Sequence, residues 1–220
     1  MSHIKKHDLK KDELALWIHD SIEYVKKNPT KIQTYGGIAA GVVIGGIILW
    51  SAVSTSINNV RKQFSQAQVA YQQCVPGEKE GYIKAKDVFS SIINKYGFTK
   101  EAKFARFYKG ACCYYLGQLD DAKACFEEFL EKYPKHTLSP AAYCRIGNIY
   151  EQKKEFKKAI DSYEMLSKKY PQSFEVQEAS LSLGRCYQKT GNVLQAKKMY
   201  GKIATNSGWA DEARFWWKNL

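Results

Sequence analysis

Hydrophobic and polar positions alternate in three regimes along the chain. From Tyr35 to Val53 the apolar run is unbroken, and between Lys31 and Arg61 the only ionisable side chain is Tyr35. Before it, Leu14, Trp17, Ile18, Ile22 and Val25 make a stripe of helical period. Asp8 or Asp12 is placed to cap its start, and Asn28-Pro29 ends it. After it, apolar residues recur at i, i+3, i+4 and i+7 in short amphipathic segments. One of these runs from Ala141 to Gln152 through Tyr143, Ile146, Ile149 and Tyr150. The next runs from Phe156 to Lys169 through Ala159, Ile160, Tyr163 and Leu166. The pattern predicts an all-α protein: an amphipathic segment over 1–34, a membrane-spanning helix over 35–54 and a helical domain over 58–220.

Nineteen residues at about 1.5 Å rise cover about 28 Å, close to the ~30 Å hydrocarbon thickness of a bilayer. Tyr35 and Trp50 stand near the ends, where amphipathic rings favour the headgroup layer. A cleaved signal peptide is the competing reading, with Ala52-Val53-Ser54 as its cleavage site. Both its 34-residue leader and its apolar length would exceed the usual range. Residues 1–34 carry seven Lys, whereas the twenty residues after Val53 carry only Arg61 and Lys62. That bias predicts a cytoplasmic N-terminus and a long C-terminal part on the far side of the membrane. Gly37, Gly41 and Gly45 repeat every four residues. They form a face for close packing of a second transmembrane helix, in a homodimer or a larger membrane complex, or are glycines simply tolerated in lipid. The stripe before the anchor lies in the membrane interface or docks on a cytoplasmic partner.

The C-terminal part repeats itself with a period of 37. Gly110, Gly147 and Gly184 keep that step, as do Ala85, Ala122, Ala159 and Ala196, and Phe89, Phe126, Tyr163 and Tyr200. The pairs Tyr96-Gly97, Tyr133-Pro134 and Tyr170-Pro171 follow it too. Such a period marks a solenoid of helical hairpins. The hairpins fall at about 58–97, 101–134, 138–171 and 175–207, with a capping helix over 209–220. Gly147 and Ala159 mark where two helices approach closely, and the aromatic four residues after each alanine fills the gap to the next hairpin. In the first unit Cys74-Val75-Pro76-Gly77 lengthens the turn.

Leu/Ile-Gly-x-x-Tyr, then Ala-x-x-x-Phe/Tyr, then Pro resembles the tetratricopeptide pattern. Tyr143, Ile146, Gly147, Tyr150, Ala159, Tyr163 and Pro171 carry it best. The resemblance implies a right-handed α-solenoid that serves as an adaptor. The whole layout is similar to YfgM-type proteins, single-pass inner-membrane ancillary subunits of the SecYEG translocon associated with periplasmic chaperones. The Lys-Tyr-Pro units resemble the periplasmic Tol-Pal accessory factor and the outer-membrane assembly lipoprotein with such repeats. These resemblances imply a scaffold of the bacterial cell envelope, on the inner membrane with its repeat domain in the periplasm. Translocon, chaperones or secreted chains would be its partners. A structural subunit of an envelope complex, or an organellar import receptor with a cytosolic repeat domain, stays open.

Composition narrows the chemistry. The chain has 34 Lys+Arg against 22 Asp+Glu, a net charge of +12. Residues 61–220 hold 27 of those cations and 17 of the acids, mostly on helix faces, so the charge solubilises a solenoid or faces anionic lipid or an acidic partner rather than nucleic acid. No Ser/His/Asp set, phosphate loop or metal-ligand spacing can be assembled, and we expect no enzyme, cofactor or metal. His136, beside the Tyr-Pro turn, reads as an exposed loop residue. The six Cys read as packed core residues, or as a bridge from Cys144 to Cys112 or Cys113. The expected binding groove runs along the first helix of each hairpin. It comprises Phe64, Tyr71, Phe104, Phe107, Tyr114, Cys144, Asn148, Glu151, Arg185 and Gln188. Trp216 and Trp217 are adjacent and cannot both face the last hairpin, so at least one is a candidate terminal contact.

Overall fold

The computed structural model describes residues 6–74, 79–203 and 205–220, and for residues 6–14 the backbone alone. The chain divides into two compact units, 1–56 and 57–220.

In the first unit, helix α1 (Lys6–Lys27) is followed by the N-terminal part of a long helix α2 (Pro29–Gln72). Asn28 separates them. Its side-chain Nδ2 donates to the Tyr24 carbonyl at 3.1 Å, and its own carbonyl accepts from Ile32 at 3.1 Å. Pro29 then takes the first helical position, where its missing N–H costs nothing. Trp17, Ile18, Ile22 and Val25 are exposed, and the side chain of Leu14 lies outside the described residues. The apolar stretch of α2 is exposed along its length, with Val42, Leu49 and Trp50 each about 70% accessible. Among the described residues α2 is the one helix long and apolar enough to cross a membrane. It does not stop at residue 54 but continues as one helix into the next unit.

The second unit begins with the C-terminal part of α2. It continues through α3 (Lys79–Lys95), α4 (Lys100–Tyr115), α5 (Leu119–Lys132), α6 (Ser139–Gln152), α7 (Phe156–Lys169), α8 (Glu175–Lys189), α9 (Val193–Gly201) and α10 (Ala210–Lys218). From α3 to α10 each helix packs on the next, and first helices of successive hairpins also touch, α4 on α6 and α6 on α8. This is the arrangement of an α-solenoid. The last hairpin ends earlier than its expected limit of 207, since α9 stops at Gly201. Of the extended first turn, residues 75–77 lie outside the described residues.

The 37-residue columns are the solenoid's seams. Ala85, Ala122, Ala159 and Ala196 are all essentially inaccessible, as are Phe89, Phe126 and Tyr163, with Tyr200 only 3% exposed. The aromatic does not simply fill the gap to the next hairpin, as the spacing suggested. Its ring lies over the glycine of its own hairpin: a Cβ on Gly147 would stand 2.3 Å from Tyr163 Cε1, and one on Gly184 would stand 2.2 Å from Tyr200 Cε1. Glycine is therefore what lets Tyr163 and Tyr200 lie this close to the first helix of their hairpins.

A further column sits in the turns within hairpins. Gly117, Lys154 and Gly191, also 37 apart, all have positive φ, at 77°, 60° and 80°. Each follows a helix end. The next residue's N–H reaches back to a carbonyl five residues earlier: Gln118 to Cys113, Glu155 to Tyr150 and Asn192 to Tyr187, at 2.8–2.9 Å. A left-handed conformation costs a side-chain-bearing residue about 1–2 kcal/mol. Lys154→Gly should therefore stabilise the domain by about 1 kcal/mol, raising Tm by about 2–4 °C in a thermal melt.

Candidate functional site

The face on which α4, α6 and α8 lie side by side carries a cavity of about 320 Å³. It is lined by Tyr114 of α4, Asn148, Glu151 and Gln152 of α6, and Glu178, Leu181, Ser182 and Arg185 of α8. Trp209, just before α10, closes one end. Four of the expected groove residues, Tyr114, Asn148, Glu151 and Arg185, thus meet at one place. Gln152, Ser182 and Trp209 join them without having been singled out in the sequence.

The polar lining is organised by two donors. The Tyr163 hydroxyl has one proton to donate, shared between Asn148 Oδ1 at 2.5 Å and, more weakly, Glu151 Oε2 at 3.2 Å. Arg185 places Nε 3.1 Å from Glu151 Oε1 and a terminal nitrogen 3.4 Å from Glu212 Oε1, and donates to Ser182 Oγ at 2.9 Å. Burial pulls the Arg185 pKa down, but the two carboxylates outweigh it and the net shift is upward. Burial is also the main reason that the Tyr114 phenol is pushed up. Its oxygen accepts a bond from Gln152 Nε2. Arg145 stands apart. Its guanidinium lies 5.7 Å from the Tyr114 ring centroid, and Tyr115, Glu178 and Tyr71 are the groups that face it. No carboxylate comes within ion-pair distance of it among the described residues.

The sequence of residues 32–214 matches the family model described as tetratricopeptide repeat-like domain, which covers most of the chain. The chain belongs to the tetratricopeptide repeat-like family. No curated protein matches it in sequence. Solved structures that it resembles include the nearly identical TPR-like repeats of a kinesin light chain from Podosopora anserina, at 12% identity and a TM-score of 0.57, covering 73% of this chain and 84% of that one. A structure of MamA matches at 17% identity and a TM-score of 0.55, covering 77% and 86%. A tetratricopeptide repeat protein from Parabacteroides merdae matches at 18% identity and a TM-score of 0.56, covering 71% and 59%. At these identities the likeness is one of fold.

Tetratricopeptide packing explains where the other groove candidates went. Phe107 is 8% exposed and packs against Phe126 and Phe129, with ring centroids 5.4 and 5.8 Å apart. Cys144 is 2% exposed in the core between the third and fourth hairpins. Neither offers a surface, because the first helix of a hairpin contacts both its own partner and its neighbour and buries a wide arc. Phe64 is half-buried between Phe89, Phe104 and Tyr108. Phe104 is half-buried against the His136 ring at 4.9 Å. Tyr71 packs edge-on to Tyr82, Tyr108 and Tyr115, and burial pushes its phenol up. Gln188 accepts from the Tyr200 hydroxyl at 3.4 Å, outside the cavity lining.

The two tryptophans diverge. Trp216 packs into the last core cluster, with Nε1 3.4 Å from Glu212 Oε1, while Trp217 is 49% exposed beneath Lys197. Gly37, Gly41 and Gly45 face open space. Cys144 is not set opposite Cys112 or Cys113 as a bridge; Cys112 and Cys144 belong to different core clusters. Cys113 instead meets Cys125, whose hydrogen bond draws its thiol down to about 7. Burial pushes Cys112 and Cys186 up to about 12.

His136 is not a free loop residue. Its Nδ1 accepts from the Leu138 N–H at 3.2 Å and its ring meets Phe104 and Phe129 edge-on. Burial, with Lys103 second, lowers its pKa. The folded state thus binds this proton less readily than the unfolded chain. Its stabilising contribution is complete above the ordinary His value of about 6.5 and is lost as pH falls through the lower folded value. Thermal melts should show Tm falling on acidification through this range, and His136→Asn should flatten that fall.

Proposed function

We propose that this protein is a non-enzymatic scaffold tethered to the bacterial inner membrane by α2. Its N-terminus is cytoplasmic and its repeat domain is periplasmic, holding segments of secreted chains, chaperones or translocon subunits. The observation that carries the binding role is the cavity spanning α4, α6 and α8. Its fixed amides and carboxylates lie near Arg145, a guanidinium with no ion-pair partner among the described residues. Fixed polar groups near a guanidinium without an ion pair suit an extended peptide whose backbone and acidic side chains supply further partners. Anchoring is supported by the exposed apolar stretch of α2 and by the seven Lys before it. The family match begins at residue 32, so the apolar helix falls within the family pattern.

A cytosolic repeat domain, as on an organellar import receptor, is the second reading. It is favoured by the buried thiols of Cys112, Cys113, Cys144 and Cys186, which suit a reducing compartment. Protease added to spheroplasts separates the two. The first reading expects the repeat domain to be cut and the N-terminus to be protected, and the reverse pattern sinks it. In mild-detergent capture from membranes, Arg145→Gln should lose captured partner several-fold while the melt is unchanged. Equal capture by both forms would remove the cavity from the binding role.

A further inference from the structure

We propose that Cys113 of α4 and Cys125 of α5 are a redox pair, closed to a disulfide by exchange with a small disulfide of the glutathione class. The chemistry does not depend on the side of the membrane on which the repeat domain lies.

The second hairpin brings the two sulfurs together. Its helices approach closely at Gly110, where an added Cβ would stand 3.1 Å from the Cβ of Cys125. Cys113 follows one turn on, buried in the same core cluster as Ala122 and Phe126 of α5. The turn between the helices is fixed on Cys113, whose carbonyl accepts the Gln118 N–H at 2.9 Å, next to the left-handed Gly117. The two thiols are free, and a side-chain hydrogen bond joins them. A bridge needs Cβ atoms about 3.5–4.5 Å apart, and thiols already in contact ask for little backbone movement. Cys113 directly precedes Tyr114 of the cavity lining, so the bridge ties the α4 wall of the cavity to α5.

The surroundings single out this pair. Burial pushes the thiols of Cys112, Cys144 and Cys186 up, which keeps them protonated near neutral pH. Between Cys113 and Cys125 the hydrogen bond instead favours loss of the first proton. Lys86 and Lys109 face the pair and favour the thiolate as well, while Asp121 and Glu128 oppose it. Cys113 is 3% exposed and Cys125 is half-buried, so the oxidant enters at Cys125. The proton left in the pair passes along the hydrogen bond to Cys113, leaving Cys125 as the attacking thiolate. Its sulfur bonds one sulfur of glutathione disulfide, whose S–S bond breaks and releases a glutathione thiolate. That thiolate takes the proton of Cys113. Cys113 then attacks the Cys125 sulfur of the mixed disulfide and expels the second glutathione thiolate. Two cysteines have lost two electrons, and one glutathione disulfide has been reduced to two thiols.

The test uses the purified full chain in detergent, fully reduced and then treated with glutathione disulfide. After alkylation of the remaining thiols, trypsin separates residues 110–123 from 124–132, and a bridge joins these two peptides in mass spectrometry. We expect the joined peptides, a fall in free thiols from six to four, and reversal of both by dithiothreitol. The pair should oxidise about tenfold or more faster than any other two thiols of the chain. Its rate should rise with pH and level off above about 7, rather than climb through the ordinary thiol value of about 8.5. Cys112→Ser should keep the joined peptides, whereas Cys113→Ser should leave glutathione on Cys125. Native chain that yields no joined peptides, or yields them only in denaturant, would overturn the pair. So would loss of the joined peptides in Cys112→Ser, or a lasting glutathione adduct on Cys125 of the native chain.

Discussion

Gly147→Ala is expected to destabilise the repeat domain by about 2 kcal/mol, although alanine is the better helix former. In an open helix the exchange would gain about 1 kcal/mol. Here the added methyl would sit 2.3–2.7 Å from three atoms of the Tyr163 ring. That ring is fully inaccessible, and its hydroxyl is tied to Asn148 and Glu151, so it cannot swing aside. Overpacking of this kind costs about 1–3 kcal/mol and occasionally more, which exceeds the propensity gain. At about 2–4 °C per kcal/mol, Tm should fall by roughly 4–8 °C. Gly184→Ala should behave alike against Tyr200. Gly110→Ala should not, since its nearest atoms are 3.1 Å away and neighbouring rings need give only a few tenths of an ångström. A double-mutant cycle checks the cause. Tyr163→Leu should absorb part of the Gly147→Ala loss, whereas strictly additive losses would show that ring contact is not responsible.

The same column of glycines shows what the linear pattern can and cannot convey. Period 37 in Gly, Ala and aromatic positions is enough to place hairpins, because each column corresponds to one recurring close approach. It says less about which side of a first helix faces outward. Phe104, Phe107 and Cys144 stand at positions that line a groove in an idealised hairpin. In this chain Phe107 and Cys144 pack into core clusters and are buried, while Phe104 is half-buried against Phe64 and His136. Tyr114, Asn148, Glu151 and Arg185 were placed on one face by the repeat, and their polar ends line one cavity beside Leu181 and Trp209. Trp209 reaches the cavity from beyond the last hairpin, just before α10. The turn column was hidden by chemistry instead: Gly117 and Gly191 announce a left-handed residue, and Lys154 between them does not. His136 misled in the opposite direction, a polar residue in a loop that three rings of the second hairpin draw inward.

Arg185→Ala is expected to cost about 1–2 kcal/mol and to loosen the end of the solenoid. Arg185 joins three helices: α6 through Glu151, its own helix α8 through Ser182, and α10 through Glu212. Its side chain is 33% exposed and Glu151 is 22% exposed, so the pair is neither a solvated surface bridge nor a fully buried one. The contribution therefore lies between the few tenths of a kcal/mol of exposed pairs and the about 3–5 kcal/mol lost when one partner of a buried pair is removed. Glu151 keeps its bond from Tyr163, which limits the loss on α6. Glu212 keeps only its contact with Trp216 Nε1 at 3.4 Å, so the larger consequence falls on α10. The tryptophan fluorescence of the variant should shift to the red as Trp216 and Trp209 gain water. Arg185→Met separates charge from bulk, because it keeps an apolar stem over Leu181 and the cavity wall. If the ion pairs matter, Met should lose nearly as much as Ala, and the difference from the native protein should shrink in high salt. Recovery of native stability by Met at low salt would assign the effect to packing. Because Arg185 also lines the cavity, either variant should alter partner capture as well as stability, whereas Gly184→Ala should alter capture only as far as it unfolds the domain.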